Sequence, residues 1–168
     1  MDHINTLKGH TGIINCLLVT SSQLVSASND STMRVWDLKG PNIPVLQTIT
    51  TDSESVKSLA ITSACLACGT QNGKVHLFEQ PNRGGLWDVS CQPVDAHTNT
   101  VWGLANLAGC LVTASADTTI KLWQPGTWTQ TMNTLNVHQN EVLCVANTRT
   151  YLFSGDEKGM INIWAVAS

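Results

Sequence analysis

Gly9–Asp37 reads GHTGIINCLLVTSSQLVSASNDSTMRVWD, and its spacing decides how the rest of the chain is read. It opens on His10, places the turn-forming Asp30 twenty residues later and ends on Trp36, six beyond that. Three further stretches carry the same ruler. Asp52 to Phe78, His97 to Trp123 and His138 to Trp164 each span 26 positions, as His10 to Trp36 does. The spacers between them differ in length, so each core is one structural unit and insertions fall between units.

Other columns agree when counted from the first residue of each unit. Leucine stands at position 14 throughout, as Leu24, Leu66, Leu111 and Leu152. Ile14, Val56, Val101 and Val142 occupy position 4, and Leu17, Leu59, Leu104 and Val145 position 7. Before each aromatic the pattern is apolar, polar, apolar, as in Met33-Arg34-Val35 and Ile120-Lys121-Leu122, the alternation of a strand with one wet face. The front strand, Ile14 to Val19, is mostly apolar and is expected to be buried on both faces. A second strand follows at Leu24 to Ser28. Asn29-Asp30-Ser31, Gln71-Asn72-Gly73, Ala116-Asp117-Thr118 and Glu157-Lys158-Gly159 then turn the chain into the third strand.

A fourth strand fits each spacer. Apolar residues recur three and six positions before each unit: Leu7 and Ile4, Ile49 and Leu46, Val94 and Cys91, Leu135 and Met132. Helical spacing is absent over any useful length. The expected fold is all-β, one domain over residues 1–168, with four repeats of four antiparallel strands at approximately 1–40, 43–80, 86–125 and 127–168. Gly40 to Pro44 and Pro81 to Gly85 read as loops, the second the longest and most flexible. Trp87-Asp88 imitates a unit end, but the residue 26 positions before it is Ile61, which excludes it. Trp128 falls in the fourth strand expected in the last spacer and is expected to cover the packing of its unit.

Composition narrows the function. Of 168 residues only 12% are charged and the net charge is −3, without a run of either sign. Clustered Lys and Arg are what phosphate binding needs, so direct nucleic-acid binding is disfavoured. No apolar stretch approaches the roughly eighteen residues of a membrane span, and Met1-Asp2-His3 leads straight into a strand-like segment without a signal peptide. The six cysteines fall in strand columns and read as reduced thiols, which places the protein in the cytoplasm or nucleus. Cys65-x-x-Cys68 is only half of a zinc pattern, and the unit-opening histidines belong to different units. No metal and no cofactor are expected. Phosphate loops and carboxylate pairs are lacking too, so no enzyme activity is expected.

Gly-His, a Ser-x-Asp turn and Trp-Asp together resemble the WD-repeat family (WD40 repeats). The first unit carries Gly9-His10, Ser28-Asn29-Asp30 and Trp36-Asp37. The third keeps His97, Ser115-Ala116-Asp117 and Trp123; the fourth keeps His138, Ser154 and Trp164, with Asp156 as its nearest acid. The second is degenerate, with Asp52, Asn72 and Phe78. The resemblance implies a β-propeller, four-stranded blades around a central channel. It also implies that the first strand of each repeat is the outer strand of the preceding blade. Met1 to Lys8 would then be an outer strand without a blade, and Trp164 would end a blade without an outer strand. Four repeats cover little more than half of a typical ring. Three arrangements remain open: a piece of a longer propeller completed by further blades, a homodimer forming an eight-bladed ring, or tight closure of four blades.

The resemblance assigns two groups of residues. His10, Ser26 or Ser28, Asp30 and Trp36 are expected to form a buried blade staple, as are His97, Ser115, Asp117 and Trp123, and His138 with Trp164. Ser, His and Asp also suggest a catalytic triad, but recurrence at identical spacing suits stapling. Three columns are expected to face a partner on one rim of the channel: Ile13, Ser55, Thr100 and Glu141; Asn15, Lys57, Trp102 and Leu143; Asn29, Gln71, Ala116 and Glu157. Trp102 is the foremost contact candidate. The expected function is a non-catalytic scaffold or adaptor that presents this rim to a protein or peptide partner. The alternative is an RNA-associated adaptor subunit of a larger complex.

Overall fold

The computed structural model describes residues 2–52, 54–63, 65–80, 85–124, 128 and 131–166. The expected loop at Pro81 to Gly84 lies outside them. The described residues contain sixteen strands and no helix, arranged as four antiparallel sheets. β1 (Ile14–Val19), β2 (Gln23–Ser28), β3 (Thr32–Asp37) and β4 (Val45–Thr50) form the first, in that order. The second contains β5 (Val56–Ile61), β6 (Leu66–Thr70) and β7 (Lys74–Glu79), and its outer strand is split into β8 (Asp88–Val89) and β9 (Val94–Asp95). β10 (Val101–Leu107), β11 (Cys110–Ser115), β12 (Ile120–Trp123) and β13 (Thr131–Leu135) form the third. The fourth has three strands, β14 (Val142–Asn147), β15 (Tyr151–Asp156) and β16 (Ile161–Ala165).

Each sheet is a blade packed face to face on the next. Three apolar clusters hold the structure together, and each spans two adjacent blades. Val35 and Ile49 of the first blade meet Leu66 and Phe78 of the second; Leu77 of the second meets Leu111 and Trp123 of the third. Leu122 and Leu135 of the third meet Leu152 and Trp164 of the fourth. In the second, third and fourth units the leucine at position 14 and the aromatic at position 26 therefore share one cluster, because strand pairing sets them opposite each other, as Leu66↔Phe78, Leu111↔Trp123 and Leu152↔Trp164.

The turn between the second and third strands is the same in all four blades. Its position 21 has a left-handed backbone every time: Ser31 (φ 64°), Gly73 (φ 86°), Thr118 (φ 71°) and Gly159 (φ 84°). Two copies use glycine, which reaches this region without strain; Thr118, β-branched, holds it against its steric preference.

The blades form an open arc. β1 was expected to be buried on both faces, yet Ile14, Leu17 and Val19 are exposed. The equivalent β5 is buried along most of its length, because it has a blade on either side and β1 has only one. Ile161 and Ile163 on β16 are likewise exposed. Residues 2–10 form no strand, so the expected outer strand at the N-terminus is not paired. Trp87, rejected as a unit end, instead leads into the outer strand of the second blade. Its backbone N–H donates to Gln47 Oε1 (2.8 Å), and Gln47 Nε2 donates to its carbonyl (2.8 Å), which ties two blades together.

Candidate functional site

Inside each regular blade a histidine, a hydroxyl and an indole lie in line. His10 Nδ1 is 2.8 Å from Asp30 Oδ2 and its Nε2 is 2.7 Å from Ser26 Oγ, which also accepts the Trp36 indole N–H at 2.9 Å. The indole can only donate, so the hydroxyl must give its own hydrogen to Nε2, which leaves the Nδ1 hydrogen for the carboxylate. His97 repeats this with Asp117 (2.8 Å), Thr113 (2.6 Å) and Trp123 (3.0 Å). His138 repeats it with Asp156 (3.0 Å), Ser154 (2.7 Å) and Trp164 (3.1 Å).

Ser28 and Ser115 do not take part. Each sits two residues beyond the relay hydroxyl and accepts the N–H of the turn acid, 3.1 Å for Asp30 and 3.0 Å for Asp117. In the fourth blade Asp156 stands in the Ser28 column and does both tasks. One oxygen receives His138, and the other receives the N–H groups of Lys158 and Met160. The second blade has lost all three members together: Asp52, Cys68 and Phe78 replace histidine, hydroxyl and indole.

The relay hydroxyls are buried and already engaged on both sides, so they are not poised as nucleophiles. Burial works to raise the Asp30 carboxyl, but hydrogen bonds from Thr32, Thr11 and His10 outweigh it and hold the acid well below its ordinary range. Asp117 is lowered in the same way, burial opposing it and Thr119 and His97 favouring the anion. Asp156 is lowered chiefly by its bond from His138. Burial pushes the His97 imidazole downward, against the pull of Asp117. At the third blade the state these directions describe is a neutral His97 donating to an ionised Asp117.

Cys65 and Cys68 do not converge. Cys68 packs in the cluster between the first and second blades and Cys65 in that between the second and third. Burial raises the Cys68 thiol to about 12. Among the described residues no group of three or more His, Cys, Asp or Glu could hold a metal ion.

The expected rim residues draw together through a backbone irregularity. Every inner strand begins with a bulge, marked by the register shifts Ile14/Cys16, Val56/Ser58, Val101/Gly103 and Val142/Cys144. The extra residues are Asn15, Lys57, Trp102 and Leu143. A bulge displaces its extra residue from the ladder and re-aims the side chain, here at the start of the innermost strand of every blade. The result is a continuous chain of contacts across the arc. Asn15 Nδ2 donates to Asn29 Oδ1 (2.7 Å) and to the Val56 carbonyl (2.7 Å). Lys57 Nζ donates to the same Asn29 Oδ1 (2.7 Å) and lies 5.7 Å from the centroid of the Trp102 ring. The Trp102 indole reaches Glu141 Oε2 at 3.4 Å.

Ile13, Gln71, Leu143 and Glu157 are exposed at the margins, and Glu157 is 3.5 Å from Lys158. Thr100 departs from expectation. It is 7% exposed, and its hydroxyl donates to the Gln71 carbonyl (3.0 Å), so it ties two blades and presents nothing. Ser55 reaches the Asn29 carbonyl at 3.4 Å in the equivalent place. The bulge was detectable in the sequence. Apolar positions 4 and 7 lie three apart, and an uninterrupted strand would keep them on opposite faces.

Radially stacked antiparallel blades, with a mixed polar and aromatic rim at their inner ends, define a β-propeller fold. The profile described as "WD40 repeated domain" matches residues 29–155, and the one described as "WD domain, G-beta repeat" matches residues 1–37. The chain belongs to the WD40-repeat family. Bovine (Bos taurus) Striatin-3 is 30% identical over 143 residues, 71% of this chain and 18% of that protein. The structure of the computationally designed Ika4 protein matches with a TM-score of 0.81 and 24% identity over 99% of both chains. That of the RRP9 WD40 repeats matches with a TM-score of 0.82 and 25% identity, over 95% of this chain and 50% of the other. The chain spans less than a third of the length of the curated relatives it matches.

Proposed function

We propose that this protein is a non-catalytic scaffold or adaptor of the cytoplasm or nucleus, which holds a protein or peptide segment on the rim formed by Asn15, Asn29, Lys57, Trp102 and Glu141. WD40 repeats serve in general as protein-interaction scaffolds, and their propeller fold is typically non-catalytic. The observation that carries the reading is Trp102. It is 37% exposed, stands on a bulge and is flanked by a cation on one side and a carboxylate on the other. A half-exposed indole held by charged neighbours is the usual anatomy of an interface anchor, and the charges around it select for orientation. Lys57 and Glu141, of opposite sign, suit a polypeptide better than a phosphate backbone.

The test compares wild-type protein with Trp102→Ala in affinity capture from cell extract, read by quantitative mass spectrometry. At least one protein retained by the wild type is expected to be lost with the variant, while both melt at the same temperature. An unchanged set of captured proteins would remove Trp102 from the contact and with it the rim reading.

A further inference from the structure

The rim is not satisfied evenly along the arc. On the first and second blades its polar groups satisfy one another: Asn29 Oδ1 accepts from both Asn15 Nδ2 (2.7 Å) and Lys57 Nζ (2.7 Å). That chain stops at Trp102. The counterpart of Asn29 in the third blade is Ala116, and that of Lys57 in the fourth is Leu143, so neither has a polar group to give. Glu141 departs from its column as well. Ser55 and Thr100, at the same position of the second and third units, each close a blade junction by donating a hydroxyl to a carbonyl of the preceding turn, that of Asn29 and that of Gln71. An ionised carboxylate has no hydrogen to donate. At the third junction this tie is therefore given up for an acid. A carboxylate can accept about four hydrogen bonds, and among the described residues Glu141 receives only the Trp102 indole N–H, at 3.4 Å. With the N–H engaged, the half-exposed indole has its ring to offer. Lys57 lies 5.7 Å from the ring centroid, near the outer limit of about 6 Å for a cation–π contact.

We propose that the polypeptide segment held on the rim presents an arginine at this point, with its guanidinium laid against the Trp102 ring and its N–H groups donating to Glu141. The inference rests on the rim being the partner surface. A planar guanidinium can stack on an indole and reach a carboxylate with two parallel hydrogen bonds at the same time, whereas an ammonium is a point charge that serves one contact or the other. The surrounding charge favours a cation. The Glu157 backbone N–H donates to the Glu141 carbonyl at 3.1 Å, which sets two acidic residues side by side. Asp117 and Asp156, whose carboxyls lie below their ordinary range, stand in the same turns as Ala116 and Glu157. Lys158 is 3.5 Å from Glu157 and pairs with it. An acidic side chain would find Lys57 as its cation, but the Lys57 ammonium is already held by Asn29, and Glu141 repels the newcomer.

The experiment selects binders to the full chain from a random peptide display library. The tightest peptide is then made twice, once as selected and once with its arginine replaced by citrulline, which keeps the shape and loses the charge. Fluorescence anisotropy measures both against each protein. The selected peptides are expected to share an arginine, and the citrulline form to bind about ten-fold or more weakly. Glu141→Gln weakens the arginine peptide by a similar factor and brings the two peptides to within about two-fold of each other, the mark of a direct pair. Arg149→Gln, beyond the opposite end of β14, changes neither affinity. Peptides that need Trp102 but no arginine, or that need an acidic residue instead, overturn the arginine and leave the rim reading standing. An arginine–citrulline difference that persists in Glu141→Gln places the arginine elsewhere and overturns it too. Peptides whose affinity ignores Trp102→Ala, or a selection that yields no binder, remove the rim reading and the arginine with it.

Discussion

Replacing Thr113 with valine removes one oxygen and keeps the shape. Thr113 is fully buried; its hydroxyl hydrogen goes to His97 Nε2 at 2.6 Å, and its oxygen accepts the Trp123 indole at 3.0 Å. Valine opens no cavity, so the effect is that of two orphaned partners. Each buried donor or acceptor left unpaired costs roughly 1–3 kcal/mol, and losing the hydroxyl's own burial cost returns about 1–2. The net expectation is a loss of about 2.5 kcal/mol, the middle of the range these terms span. Urea unfolding followed by tryptophan fluorescence should show the midpoint falling by about 1–2 M at unchanged slope. The background matters. With Trp123→Phe already in place the indole donor is gone, so Thr113→Val should cost at least about 1 kcal/mol less there, a coupling that a double-mutant cycle measures. The second blade is the natural precedent, with Asp52, Cys68 and Phe78 all substituted together. A loss under about 0.5 kcal/mol, or strict additivity with Trp123→Phe, would refute the hydrogen-bonded chain as a source of stability.

Two glycines separate backbone strain from crowding. Gly73 and Gly159 have nearly the same φ, 86° and 84°, but a Cβ on Gly73 would collide with the His97 carbonyl oxygen, whereas a Cβ on Gly159 would meet no described atom within 4 Å. Gly159→Ala should therefore cost about 1 kcal/mol in chemical denaturation, and Gly73→Ala clearly more. Stability should also fall in acid. His97 is held below its ordinary value by burial, so the unfolded chain takes up the proton first; its contribution is complete above about pH 6.5 and declines as pH drops below it. Asp30, Asp117 and Asp156 are lowered in the fold, so theirs holds above about pH 4 and is lost as pH falls through the depressed folded values. His97→Gln should flatten the decline just below pH 6.5 in a series of melts across pH, and an unchanged profile would exclude His97 as its source. Thiol labelling should find Cys144, which is exposed, first, and Cys68, buried and raised to about 12, only as the protein unfolds.

The repeat ruler by itself determined the local structure. Histidine, hydroxyl and aromatic recur at fixed intervals in the three blades that keep the relay because each hairpin must bring them to one place. The acid stands twenty residues after the histidine in two of them and eighteen after it in the fourth blade. Alternation could not choose between Ser26 and Ser28, since residues two apart on a strand share a face. The relay hydroxyl is Ser26 because Trp36 reaches it from the neighbouring strand, a matter of pairing register. Asp156 could be named as the nearest acid, but that it takes over two tasks depends on the turn's hydrogen bonds. Tertiary structure alone decided what lies between blades. Thr100 sits in the same column as exposed Ile13, yet it is buried because a neighbouring blade covers it. Whether an inner strand is covered, as β5 is and β1 is not, depends on which blade lies beside it. Every repeat carries the same local pattern, so only the position of a blade in the arc distinguishes a buried face from an open one.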